Sequence, residues 1–178
     1  MKSDRLKLYL DFDDVVMDTT RYLMRMLGET NPKGFWGIYG NDPRVITELS
    51  ENYKKIPIKK NALNGLRIVE KFADITFVSE YYYPGEAREK RILSKGFCRH
   101  SDIILVNANE SRKYKLDLSD GMLIDDNSKI LCMSNAGMKI LFYNPANYIT
   151  RFDGLRVEDW KDLIHLFKLM GMTEEVLV

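Results

Sequence analysis

Five short apolar runs constrain this chain more than any other feature: Leu6–Leu10, Ile75–Val78, Ile103–Val106, Met122–Ile124 and Ile140–Tyr143. Taken together they read as continuous rather than alternating. That pattern suits strands covered on both faces of a parallel sheet. Helical patterns separate the later runs. Ala62–Phe72 sets Leu63, Leu66, Ile68, Val69 and Phe72 on a broad apolar face. Gly85–Lys95 starts polar and carries Ile92 and Leu93, and Ser128–Asn135 is followed by Gly137, a fitting C-cap. The segment VEDWKDLIHLFKLMG opens on acids, spaces Trp160, Leu163, Ile164 and Phe167 as a helix would, and closes on Gly171. The alternation predicts an α/β fold with a doubly wound, mostly parallel sheet.

One region departs from this rhythm. Roughly fifty residues between the first strand and Ala62 carry no strand signal, and so long a structureless loop is improbable in a compact domain. Thr19–Leu27 and Pro43–Tyr53 read as short helices joined by NPKGFWGIYGNDP. The division that follows is an α/β core over 1–17 and 62–178 with a small helical cap inserted over 18–61.

Composition narrows the function classes. The chain has 178 residues, 45% of them apolar and 30% charged, enough for one domain with a sizeable core. A net charge of +1 gives no basic excess for a nucleic-acid groove and no acidic tail. Cys98 and Cys132 lie in apolar sequence with no metal spacing, which predicts two reduced core thiols. The opening MKSDRLKLYLDFDD has too short an apolar run for a signal peptide, and no run approaches a membrane span. A soluble, cytoplasmic protein is expected, with a homodimer as an allowed assembly.

The apolar runs end in polar residues of a particular kind. Asp11 and Asp13 follow the first, Ser79 the second, and Asp125 and Asp126 the fourth; Lys115 stands ten residues before Asp125. In an open α/β sheet these strand ends gather on one edge, where ligands bind. So many carboxylates together require a cation. Oxygen ligands without His or Cys point to Mg²⁺. A metal, a hydroxyl, a lysine and a free carboxylate suit a phosphoryl group.

With these motifs in order, DFDDV (11–15), TFVS (76–79), Lys115 and MLIDD (122–126), the sequence resembles the haloacid dehalogenase superfamily of phosphatases. More narrowly, DFDDVVMDT, the lysine-to-acid spacing, GMLIDDN, ILFYNP and VEDWKDL resemble the 5′(3′)-deoxyribonucleotidases and their bacterial and phage relatives. The resemblance implies a Rossmann-like core of the haloacid dehalogenase type. It makes Asp11 the nucleophile and Asp13 the general acid and base, the latter also turning its backbone carbonyl to the metal. Asp125 becomes the third Mg²⁺ ligand, and Asp126 acts through water or orients a neighbour. Ser79 holds a phosphate oxygen; Lys115, preferred over Lys113 on spacing, neutralises the phosphate. Asp14 occupies a variable position.

The expected activity is Mg²⁺-dependent hydrolysis of deoxynucleoside monophosphates through an aspartyl-phosphate. Phe35, Trp36 and Tyr39 are placed to stack on a nucleobase or to form the insert's own core. Tyr81 to Tyr83 line the cleft or an exposed loop. Glu80, counted with Tyr81 among the substrate-side residues, is unexpected beside a phosphate. Alternatives are the same chemistry on a polynucleotide 3′-phosphate or a sugar phosphate, and a non-catalytic binding module on this fold. An intact Asp11–Asp13 pair weighs against the binding module. A phosphorylated receiver domain shares the strand-end acids but not the insert.

Overall fold

The computed structural model describes residues 5–147, 151–175 and 177. The extreme ends of the expected core span, at 1–4 and 178, fall outside the described residues, as do 148–150 and 176. Among the described residues six strands form one sheet: β1 (Leu6–Leu10), β2 (Ala73–Tyr81), β3 (Asp102–Asn107), β4 (Met122–Asp125), β5 (Met138–Phe142) and β6 (Leu155–Val157). All pairings are parallel, and the order is β3-β2-β1-β4-β5-β6. This is a doubly wound order whose switch point falls between β1 and β4.

Seven α-helices among the described residues accompany the sheet: α1 (Thr19–Leu27), α2 (Phe35–Tyr39), α3 (Pro43–Glu51), α4 (Ala62–Val69), α5 (Pro84–Phe97), α6 (Ser128–Met133) and α7 (Trp160–Leu169). None of the described helices is long and apolar enough to cross a membrane. The central strands bury residues on both faces, as the continuous apolar runs require. Leu8, Leu10, Met122, Ile124, Ile140 and Phe142 face a large core shared with α4 and α7. Leu123 turns the other way, into a smaller core with Ile130 and Leu131 of α6. Alternation along each strand thus supplies two cores from one run.

Helices α1 to α3 fall between β1 and α4, where strand signals are missing. Asp42 caps α3 by accepting from the Arg44 N–H at 2.8 Å, and Gly28 ends α1 in the left-handed region. Leu23, Phe35, Val45, Leu49, Tyr53 and Ile56 from this region join the large core of the sheet, rather than closing a separate one. Gly85 sets α5 directly against the Ser50 carbonyl of α3; a Cβ there would stand 1.8 Å from that oxygen.

Four local expectations are corrected. The FWGIY segment, read as a link, is helical. β6 has only three residues, too few for a periodic signal. Gly137 does not cap α6; Ser134 does, and the Gly137 N–H instead donates to Gly121 O at 3.0 Å. Cys98 is buried as expected, but Cys132 is exposed on α6.

The two ends of the chain meet behind the first loop. Trp160 is fully buried, and its indole N–H donates to the Val15 carbonyl at 2.8 Å. Gly65 on α4 makes room for that ring, since a Cβ there would lie 2.1 Å from Trp160 Cε3. Gly65→Ala therefore overpacks this contact. It is expected to destabilise the fold by about 1–3 kcal/mol despite the better helix propensity of alanine, as read by urea denaturation.

Candidate active site

The loop after β1 sends its consecutive residues to different places. The Asp11 N–H still pairs with Ile124 O of β4 at 2.9 Å, which fixes the strand end. Phe12 turns into the core, edge-on to Phe77 at 5.4 Å and stacked with Phe97 at 5.7 Å. Asp14 takes a left-handed backbone, φ 55°, which aspartate tolerates better than most residues. Its carboxylate accepts from the Thr20 N–H at 2.9 Å and from the Thr20 hydroxyl. Asp14 is thus tied to the start of α1, and burial pushes its carboxyl up to about 6.

Asp11, Asp125 and Asp126 converge at the switch point. One carboxylate oxygen from each lies within 4.8 Å of the others, and all three residues are buried. Asp11 Oδ1 accepts from the Phe12 N–H at 2.8 Å, and Asp125 Oδ1 from the Asn127 N–H at 2.8 Å. Asp126 Oδ2 accepts from Asn144 at 2.9 Å and from Asn147. Burial, and then the neighbouring acids, hold Asp126 well above the usual carboxylate range. Burial pushes Asp11 up to about 7 against the pull of Lys113.

The lysine in the cluster is Lys113. Its Nζ lies 2.8 Å from Asp11 Oδ2 and 2.7 Å from Asp125 Oδ2, and the side chain is buried. Lys115, the residue expected here, is exposed. Both belong to the 3₁₀ turn Lys113–Lys115, where residues two apart point in different directions. Only one can face the acids, and spacing to Asp125 does not reveal which. Glu80 helps decide it: Oε1 accepts from the Lys113 N–H at 2.9 Å and from Arg112 Nε at 2.9 Å. The acid that looked out of place beside a phosphate is thus paired, and it holds the turn carrying Lys113.

Asp13 does not join the three-carboxylate cluster. Its Oδ2 accepts from Lys90 Nζ at 2.5 Å, and its Oδ1 from the Tyr53 hydroxyl at 2.5 Å and the Thr19 hydroxyl at 2.7 Å. Burial opposes ionisation, but Lys90, Tyr53 and Thr19 together keep this carboxyl below its usual value. Ser79 is buried, and its Oγ accepts from Lys90 at 3.1 Å. Lys90 and Tyr53 were missed by sequence reading. The Glu86–Lys90 spacing looks like an ordinary solvated helix pair.

A cavity of about 360 Å³ opens over these groups, lined by Asp11, Asp13, Ser79, Lys113 and Asp126. Trp36, Asn41, Tyr82, Tyr83, Arg112 and Asn147 line it farther out. Trp36 is steadied by its indole N–H, which donates to the Thr20 hydroxyl at 3.1 Å. Phe35, expected to stack on a base, is fully buried against Trp36 and Tyr39 and is out of reach of a ligand. Tyr81 does not line the cavity: it stays in the sheet opposite Asn107, and the chain leaves β2 only at Tyr82.

No protein-family model matches the sequence, and neither does any curated protein. Solved structures do match. A haloacid dehalogenase-like hydrolase from Streptococcus pneumoniae aligns with TM-score 0.59 and 10% identity, covering 92% of this chain and 98% of that one. The hydrolase YfnB from Bacillus subtilis, solved with magnesium, gives 0.56 and 13%, covering 92% and 99%. A proposed phosphoglycolate phosphatase from Lactobacillus plantarum gives 0.54 and 11%, covering 92% and 99%. The chain therefore has the α/β fold of the haloacid dehalogenase superfamily of hydrolases.

Proposed function

We propose that this chain is a Mg²⁺-dependent phosphomonoesterase acting on deoxynucleoside monophosphates. The observation that carries the reading is the convergence of Asp11, Lys113, Asp126 and Ser79 on one cavity at the strand ends, with Asp125 buried against Asp11 and Lys113. The fold alone is compatible with other hydrolytic chemistry. A nucleophilic carboxylate beside a buried lysine and a hydroxyl is the set that phosphoryl transfer needs.

The acids fit a hard divalent cation. Asp125 Oδ2 is buried and has the Lys113 ammonium at 2.7 Å but no further partner, which leaves it a lone pair for a cation. Asp11, Asp125 and Asp126 would supply the oxygen ligands, an all-oxygen donor set that suits Mg²⁺. When bound, the cation would neutralise phosphate charge and lower the pKa of the Asp11 carboxyl, favouring its ionised form. The magnesium-bound neighbour supports this assignment.

In the proposed reaction Asp11 attacks phosphorus, and the ester oxygen leaves with a proton from Asp13, which Asp13 must first take up against Lys90, Tyr53 and Thr19, the partners that favour its ionised form. The aspartyl-phosphate is then hydrolysed by water activated by the same group. Lys113 and the Ser79 hydroxyl hold phosphate oxygens as charge builds in the transition state. Trp36, Tyr82 and Tyr83 offer aromatic faces, and Asn41 and Asn147 offer amides, to the remainder of the substrate. This mouth, rather than Phe35 or Tyr81, is the support for a nucleotide.

Three measurements test the reading. Phosphate release from a panel of ribo- and deoxynucleoside monophosphates should favour the deoxy series and vanish in Asp11→Asn; release from p-nitrophenyl phosphate alone would remove the nucleotide and keep the chemistry. Lys113→Met should lower kcat by about 10²–10³-fold, the scale of losing one preorganised charge donor, whereas Lys115→Met should leave it within about 2-fold. Mg²⁺ at about 100 times its Kd should stabilise the folded chain by about 2.7 kcal/mol in denaturation, and Asp126→Asn should weaken that effect.

A further inference from the structure

Lys90 stands in the middle of α5 and is fully buried. Its Nζ lies 2.5 Å from Asp13 Oδ2, 2.7 Å from Glu86 Oε1, 2.7 Å from the Glu80 carbonyl and 3.1 Å from Ser79 Oγ. The ammonium also lies 5.2 Å from the Tyr53 ring centroid. It has three hydrogens for four acceptors, so it is saturated. Burying it needs a counter-charge. Glu86, one turn earlier on the same helix and itself buried, already provides one. A purely structural Lys90–Glu86 pair would be neutral without a second acid. Adding Asp13 leaves the trio with a net negative charge, so its presence is not explained by the fold's need for neutrality.

We propose that Lys90 is a positioning residue for the phosphoryl site. Glu86, which also lines the cavity, anchors the ammonium. From there Lys90 fixes the Asp13 carboxylate on one oxygen while Tyr53 and Thr19 fix the other. It also donates to Ser79 Oγ, which directs the hydroxyl's own hydrogen away from Lys90; that hydrogen is given to the Glu80 carbonyl at 3.3 Å and would turn from it to reach a phosphate oxygen. One side chain thereby sets the spacing between the group that protonates the leaving oxygen and a group that holds the phosphate. The inference rests on the phosphomonoesterase reading.

The test compares kcat/KM for two esters: a deoxynucleoside 5′-monophosphate, whose alkoxide must be protonated to leave, and p-nitrophenyl phosphate, whose phenolate leaves unaided. The double variant Lys90→Met/Glu86→Gln removes both members of the buried pair together. It should lose at least about 10-fold more on the nucleotide than on the aryl ester, the low end of what a placed acid contributes. Glu86→Gln alone should keep the wild-type ratio. Lys90→Arg, which retains the charge but moves the donors, guards against a double variant that does not fold; its ratio should also fall. Equal losses on both esters, or an unchanged ratio in Lys90→Arg, would overturn the positioning role and leave the phosphatase reading intact. Wild-type protein that released phosphate from neither ester would overturn both.

Discussion

The structure turns on the separation of four aspartates, three buried and Asp13 half-buried, that share one sheet edge. Asp11, Asp13, Asp125 and Asp126 could not be buried side by side without compensation, because desolvation and mutual repulsion each disfavour the ionised form. Two lysines divide them. Lys113 takes Asp11 and Asp125, while Lys90 takes Asp13 together with Glu86. Asp126 has no lysine and relies on the amides of Asn144 and Asn147. It is also the acid held well above its usual range, by burial first and then by the other aspartates. The shortfall of positive charge therefore lies at Asp126, away from Lys113 and Lys90.

Holding these charges in place takes most of the surrounding architecture. Phe12, between two of the acids, is locked among Phe77, Phe97 and Tyr53. The Val15 carbonyl is held by Trp160, and that ring reaches it only because position 65 carries no Cβ. Glu80 steers Lys113 from the end of β2. Helix α5 carries Lys90, and its close seat against α3 at Gly85 also brings the Tyr53 region alongside. The segment between β1 and α4 is therefore part of the site's support through Thr19, Tyr53 and Trp36, and its apolar residues share the main core.

The legible parts of the sequence were those with a strong local signal. The runs that became β1, β2, β4 and β5 are apolar because both sheet faces are covered, and a polar residue interrupts each run at or near its strand end. Asp11, Ser79, Asp125 and Asp126 could be placed on one edge for that reason alone. The choice of Lys115 over Lys113 failed because three residues of 3₁₀ turn carry no period, and only contact with Glu80 sets the direction. Phe35 and Trp36 are adjacent aromatics with equal sequence claims. A helical turn sends one into the core and the other to the cavity.

By itself, then, the sequence determined five of the sheet's six described strands, their parallel sense and the gathering of acids at the carboxyl edge. These follow from burial periodicity and from the chemistry of strand ends, both of which are local. The tertiary structure alone decided which charge meets which. Lys90 lies eleven residues from Ser79 and much farther along the chain from Asp13, yet it touches both. Tyr53 reaches Asp13 from a segment with no strand or motif to announce it. Partners of that kind are chosen by the packing of α5 against the sheet and α3, and packing is a property of the whole core rather than of any short stretch.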